Sequence, residues 1–173
     1  MGGPKHCLAH PGGGTWGGHL VRVFETLWPK GPIALVGEPL PDRPGLPVLD
    51  DRREGPAAAL RDWCASPAPE TGRWWVVACD QIRWTPELLA AWFRRVEAAD
   101  PGATHWVMAE HGGHLQPLGG VLAGSLRPVL AASGERSLVR LARTVPHLVL
   151  AVDGPEWLDL DTPGERQAFE SGR

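Results

Sequence analysis

Asp80 is the acid in this sequence best placed to do chemistry. It directly follows Val76-Val77-Ala78-Cys79, an apolar run that reads as a strand, so its carboxylate is expected at the strand's carboxyl end. Open α/β sheets bind ligands at that edge. A lone carboxylate there suits a magnesium ion that keeps several waters and bridges phosphates. The plain alternative is a loop aspartate that hydrogen-bonds locally. Asp50 and Asp51 also follow a short strand-like segment, and Gly55-Pro56 comes close behind. Strand, acid, loop, Gly-Pro and helix, in that order, can hold a base or ribose near a helix N-terminus. The alternative is a solvated acidic turn beside Arg52 and Arg53. At the start of the chain stand Gly2, Gly3 and Lys5. Glycine backbone can approach a phosphate, and a nearby lysine adds a mobile positive charge. By themselves those residues read as a flexible terminus.

Other polar groups carry less. Asp159 and Asp161 alternate along an extended segment and share a face, but an acid before Thr162-Pro163 more often caps a helix. His6, Cys7 and His10 form one small group, His111 and His114 another; loop residues are the preferred reading over a zinc site. Cys7, Cys64 and Cys79 are far apart, with no Cys-x-x-Cys. The sequence contains no Gly-x-Ser-x-Gly elbow, no Walker loop and no intact Gly-x-Gly-x-x-Gly after a strand.

The elements that must position these residues alternate. Thr15 caps a helix over 15–28, with Leu20, Val21, Phe24 and Leu27 on one face. A continuous apolar run over 32–37 reads as a buried parallel strand, and 46–49 as a second short one. Pro56 opens a helix through Trp63. The segment 74–79, with Trp74 and Trp75, reads as the central strand. Thr85-Pro86-Glu87 starts a helix to about residue 99. Strands are expected at 104–109 and 147–152, and an antiparallel return at 115–118. Helices are expected over 121–132, kinked or restarted at Pro128, over 136–143, and from Thr162-Pro163 onward. Alternating strands and helices give an α/β class with a mostly parallel sheet.

The 173 residues suit one domain with a proper core. A net charge of −3 argues against nucleic acid as the main partner. No apolar run approaches the roughly 18 residues of a membrane span, and no signal-peptide core precedes the chain's first elements. A cytoplasmic location is therefore expected. Nine tryptophans and no tyrosine point to an indole-rich core.

Several of these segments, in order, resemble the molybdenum cofactor guanylyltransferases, the MobA-like nucleotidyltransferase family. Met1-Gly2-Gly3-Pro4-Lys5 is similar to the end of that family's phosphate loop, Met-Gly-x-Asp-Lys. His10-Pro11-Gly12-Gly13-Gly14-Thr15-Trp16 resembles the loop leading to the first helix. Asp50 or Asp51 followed by Gly55-Pro56 is similar to the family's Asp and Gly-Pro-Leu-Ala-Gly. Cys79-Asp80 with Thr85-Pro86-Glu87-Leu88-Leu89 resembles its Asp-Met-Pro region and helix. Gln116-Pro117-Leu118, Gly134-Glu135-Arg136-Ser137-Leu138 and Asp159-Leu160-Asp161-Thr162-Pro163 resemble its Gln-Pro-Leu, Gly-x-Arg-Ser-Leu and Asn-Ile-Asn-Thr-Pro.

The resemblance implies a three-layer, Rossmann-like fold of the nucleotide-diphosphosugar-transferase type over residues 1–173. The family's leading strand and glycine turn would lie outside this chain. It implies transfer of GMP from GTP to molybdenum-bound molybdopterin, giving the guanine dinucleotide cofactor and pyrophosphate. Other cofactor-biosynthesis proteins or molybdoenzymes are implied as partners. Lys5 would hold phosphate, Asp80 would bind Mg2+, and Asp50 or Asp51, with Gly55 and Pro56, would contact the nucleotide. Pro4 before Lys5, Gln81 after Asp80 and the Asp-x-Asp-Thr-Pro ending lean toward the sister cytidylyltransferases, which use CTP. Gln116-Pro117-Leu118 and Gly14-Thr15-Trp16 lean toward the guanylyl branch. Another nucleotide or sugar-phosphate substrate and a degenerate, non-catalytic nucleotide-binding protein remain as alternatives.

Overall fold

A computed structural model describes residues 5–68 and 70–158, together with 160, 164, 167 and 169. After a 3-10 turn at Lys5–Cys7, helix α1 spans Trp16–Leu27. Strands β1 (Leu35–Val36) and β2 (Val48–Leu49) precede α2 (Pro56–Ala65). Next come β3 (Arg73–Trp75), α3 (Pro86–Ala99), β4 (Trp106–His111) and β5 (His114–Ala123). Short helices α4 (Arg127–Ala131) and α5 (Leu138–Ala142) lead to β6 (His147–Val152).

The two long helices start where their local chemistry dictates. The Thr15 hydroxyl accepts the Gly18 N–H at 3.0 Å, and Thr85 does the same for Leu88 at 3.3 Å, with Pro86 in the first turn.

Strands β3-β5-β4-β6 form one sheet, and β1-β2 form a separate two-stranded one. The β1/β2 and β4/β6 pairs are parallel; β5 runs antiparallel to both its neighbours, as expected for the return at 115–118. Side-chain alternation along β4 splits the core into two layers. Trp106 and Met108 face α2, α4 and α5, where Trp63, Leu130 and Leu141 pack. Val107 and Ala109 face α1 and α3, against Leu20, Val23, Leu89 and Trp92. The result is the expected three-layer α/β arrangement.

Three elements differ from expectation. The segment 74–79 is not a central strand: β3 ends at Trp75 and lies at the edge of its sheet. Backbone pairing with β5 continues only through Val76, which bonds Gly120 and Gly119 at 3.0 and 2.6 Å. The run 121–132 is not one helix. Val121-Leu122-Ala123 completes β5, because strands pair with it on both sides, and α4 begins afresh with Pro128 in its first turn. The parallel strand at 32–37 shrinks to Leu35–Val36, and Val36 is 41% exposed instead of buried. The helix expected from Thr162-Pro163, and Asp159 and Asp161, lie outside the described residues.

A bulge in β5 matters for the site. Val107 pairs with Val121 but Ala109 pairs with Gln116, so residues 117–120 stand opposite Met108 alone. Bulges of this kind bend a strand and re-aim the neighbouring chain. Gly119 sits there with φ +84°, and a Cβ on it would come within 2.6 Å of the Trp157 ring. Gly119→Ala is expected to destabilise the fold by about 1–3 kcal/mol, through overpacking and backbone strain. Urea unfolding measures this, and an unchanged midpoint would show that the ring can give way.

Candidate active site

Lys5 and Asp80, 75 residues apart, meet: Nζ lies 2.9 Å from Oδ2, with side chains 31% and 18% exposed. Each is placed by its own local structure. Lys5 belongs to a 3-10 turn whose carbonyl accepts the Leu8 N–H at 3.1 Å. The Leu8 carbonyl in turn accepts the Trp16 N–H, the first amide of α1, at 2.8 Å. Asp80 stands in the turn between β3 and α3, where the Gln81 N–H bonds back to Ala78 at 3.2 Å. Gln81, 1% exposed, braces that turn against the β5 bulge. Its amide nitrogen donates to the Leu118 carbonyl at 3.3 Å, and its oxygen accepts the Ala78 N–H at 3.4 Å. The Trp75 indole N–H also donates into the bulge, to Gly119, at 3.1 Å. Gln81 and Gly119 are thus positioning residues. The sequence marked Gln81 only as the residue after Asp80, and Gly119 only by its place behind Gln116-Pro117-Leu118.

Asp50, Asp51 and Gly55 occupy the loop between β2 and α2, and Pro56 is the first residue of α2. Their contacts are local, and they do not touch the Lys5–Asp80 pair through any hydrogen bond or ion pair among the described residues. Asp51 accepts the Arg53 N–H at 2.9 Å, and Arg53 holds a left-handed φ of 59°. Gly55 precedes α2 with φ 94° and offers no side-chain cap, so the first amides of α2 are not bonded by one. Arg53 reaches Glu38, in the loop after β1, at 3.5 Å. A Cβ on Gly17 would meet both Leu40 of that loop, at 2.4 Å, and the His6 carbonyl, at 3.4 Å, so the loop lies beside the 3-10 turn. Burial first, then the charges of Glu38 and Asp42, raise the Cys7 thiol.

Two of the buried thiols are held protonated. Burial, with the nearby Asp80 carboxylate adding to it, pushes the Cys79 thiol up to about 11. Cys64 rises to about 12 by burial. Neither is a thiolate nucleophile. His10 stacks on His19 at 3.9 Å, and burial, helped by His19 and Arg22, lowers it to about 4. His111 and His114 pair across the tip of the β4–β5 hairpin. Among the described residues no three His, Cys, Asp or Glu side chains converge as a metal cage. A single carboxylate still fits magnesium, which binds through one or two carboxylates and completes its shell with water and phosphate.

A lysine beside a carboxylate in the turn between β3 and α3, next to glycine-bearing loops, is suited to a phosphate chain and its cation. Comparison with family models supplies the rest: residues 1–153 match the MobA-like NTP transferase domain. The chain belongs to that family. No curated protein sequence matches the chain. Among solved structures, this MobA-like domain is similar to Rv0371c from Mycobacterium tuberculosis H37Rv, at 24% identity and a TM-score of 0.67 over 98% of this chain and 91% of that one. It is similar to molybdopterin-guanine dinucleotide biosynthesis protein A from Archaeoglobus fulgidus, at 16% identity and 0.69, over 98% and 90%. It is also similar to 4-diphosphocytidyl-2C-methyl-D-erythritol synthase, at 17% identity and 0.70, over 96% and 93%. At these identities the likenesses speak for the fold: the α/β fold of nucleotidyltransferases. Family membership makes the MobA-like domain a nucleotidyltransferase that takes a nucleoside triphosphate.

Proposed function

We propose that this MobA-like domain transfers GMP from GTP to molybdenum-bound molybdopterin. A terminal phosphate oxygen of the pterin attacks the α-phosphorus of GTP in line; the new P–O bond forms as the bond to the β-phosphate oxygen breaks, and pyrophosphate leaves. The chemistry needs positioning and charge neutralisation and no covalent nucleophile. The observation that carries the reading is the Lys5–Asp80 pair in the turn between β3 and α3.

Without ligand, the ammonium group neutralises the carboxylate. With a triphosphate present, Lys5 would turn to the phosphate oxygens and Asp80 would hold the divalent ion. That ion, Mg2+ in this proposal, supplies charge neutralisation on the phosphates when bound. A neighbouring structure, a manganese complex of Rv0371c, supports a divalent metal in this fold. Asp50 or Asp51, with Gly55 and Pro56 at the uncapped start of α2, would contact the nucleoside. CTP is the second reading, favoured by Gln81 directly after Asp80.

The test is pyrophosphate release with molybdenum-bound molybdopterin, Mg2+ and either GTP or CTP, using the protein isolated from its native cells after its intact mass has been measured. Metal- and pterin-dependent release from GTP, at least about tenfold faster than from CTP, is the expected result. Faster release from CTP reassigns the base. No release from either, at a mass of 18.7 kDa, leaves a non-catalytic binding protein.

A further inference from the structure

We propose that Asp42 is a positioning residue for Lys5: its carboxylate clamps the loop between β1 and β2 onto the start of α1, and so fixes the segment that presents the lysine to Asp80. The role of Lys5 as a phosphate group rests on the function proposed above; the clamp itself does not.

Asp42 lies 27 residues from Thr15, yet its two oxygens take both Thr15 donors. Oδ2 accepts the Thr15 N–H at 3.0 Å and Oδ1 accepts the hydroxyl at 2.8 Å. Helix capping alone does not require this, because Thr15 already caps α1 through Gly18. The approach is close enough to require glycine on both sides. A Cβ on Gly14 would lie 2.7 Å from Asp42 Oδ2, and one on Gly18 would lie 2.3 Å from it. Leu40, 2% exposed, presses on Gly17 in the same way, at 2.4 Å. Arg22 ties in the turn from its other side, donating to the Gly13 carbonyl at 2.6 Å and facing Asp42 at 4.0 Å. Burial opposes ionisation of Asp42, but the two Thr15 hydrogen bonds, its own backbone N–H and the Arg22 charge together hold the carboxyl below its ordinary range.

From Thr15 the restraint passes back to Lys5 through backbone. Thr15 bridges to Ala9, the His10 N–H donates to Gly14 at 2.9 Å, Trp16 donates to Leu8, and Leu8 donates to Lys5. Freeing Thr15 therefore loosens the one short hairpin that ends in the lysine.

The chain has two lysines, Lys5 and the exposed Lys30, so amine labelling followed by peptide mass spectrometry reads Lys5 against an internal reference without any nucleotide. Asp42→Ala is expected to raise the Lys5-to-Lys30 labelling ratio at least about threefold by local opening, with Asp42→Asn between it and the parent. Asp100→Asn is the control. Asp100 makes a similar clamp elsewhere, accepting from Thr104 and His105, and its loss should lower the melting temperature while leaving the ratio unchanged. An unchanged ratio in folded Asp42→Ala, or in Asp42→Asn should the alanine variant not fold, overturns the proposal. An equal rise in Asp100→Asn overturns it too. In the transfer assay, Asp42→Asn should raise the apparent KM for the nucleotide more than it lowers kcat. Failure of that arm with the labelling shift intact would refute the phosphate role of Lys5 and leave the clamp standing.

Discussion

Asp80→Asn is expected to lower nucleotidyl transfer by roughly 10²–10³-fold while leaving the fold nearly unchanged. Asparagine keeps the shape of the side chain and removes its charge, so under the proposed function the ion and the triphosphate would lose their anchor in the turn after β3. The stability effect should be small. The Lys5–Asp80 pair is partly exposed, and such pairs contribute at most about 1 kcal/mol, often nothing measurable. The turn that carries Asp80 is held by Gln81 and the backbone of the β5 bulge, which the substitution does not touch. Pyrophosphate release at saturating Mg2+, beside a thermal melt, separates the two effects. Activity within about threefold of the parent would remove Asp80 from the site, and a melting temperature far below the parent's would make its role structural. Lys5→Met should act on the same site differently. It removes the proposed phosphate contact while Asp80 stays, so it should weaken nucleotide binding more than it abolishes turnover.

Trp84→Ala should produce the largest loss of stability, about 3–5 kcal/mol. Trp84 is 1% exposed and stands in the middle of an aromatic chain. It meets Trp75 edge-on at 5.5 Å and Trp157 at 4.9 Å, and Trp157 meets Trp92 at 4.9 Å. These rings join β3 to α3 and to the segment after β6. The Trp84 carbonyl also accepts from the His19 ring at 2.9 Å, tying in α1. Truncation leaves a cavity that three separate elements would have to collapse to fill. For a domain of this size the loss corresponds to a melting shift of roughly 6–20 °C. Trp84→Phe is the informative companion. The Trp84 indole N–H is buried without a hydrogen-bond partner among the described residues, so phenylalanine keeps ring contacts and relieves an unsatisfied donor. Its cost should be well under half that of alanine. Equal losses for the two variants would mean that the size of the indole matters more than ring packing, and a shift of under about 2 °C for alanine would show that the layer is not close-packed.

Much of this molecule is legible without coordinates, and the reason is locality. Thr15 caps α1 and Thr85-Pro86 starts α3 because a hydroxyl three residues from an amide needs nothing distant to act. Pro128 restarting a helix, Gly55-Pro56 opening α2 and the α/β alternation are of the same kind. The sequence likewise supplied Lys5 and Asp80 as separate candidates, each beside a loop or strand end.

Tertiary structure decided everything that depends on a neighbour. Strand rank is one case. Val76-Val77-Ala78-Cys79 has the composition of a central strand, but position in a sheet is set by which strands pair with it, and β5 takes only one side of β3. The Val121-Leu122-Ala123 run is another; apolar on both faces, it suits helix or strand, and pairing with both β3 and β4 chose strand. The site follows the same rule. Bringing Lys5 to Asp80 across 75 residues, bracing the Asp80 turn with Gln81 and clamping Thr15 with Asp42 are contacts between segments with no shared local pattern. Local hydrogen-bond and backbone preferences are written residue by residue, whereas these contacts exist only once packing has excluded every other arrangement of the loops.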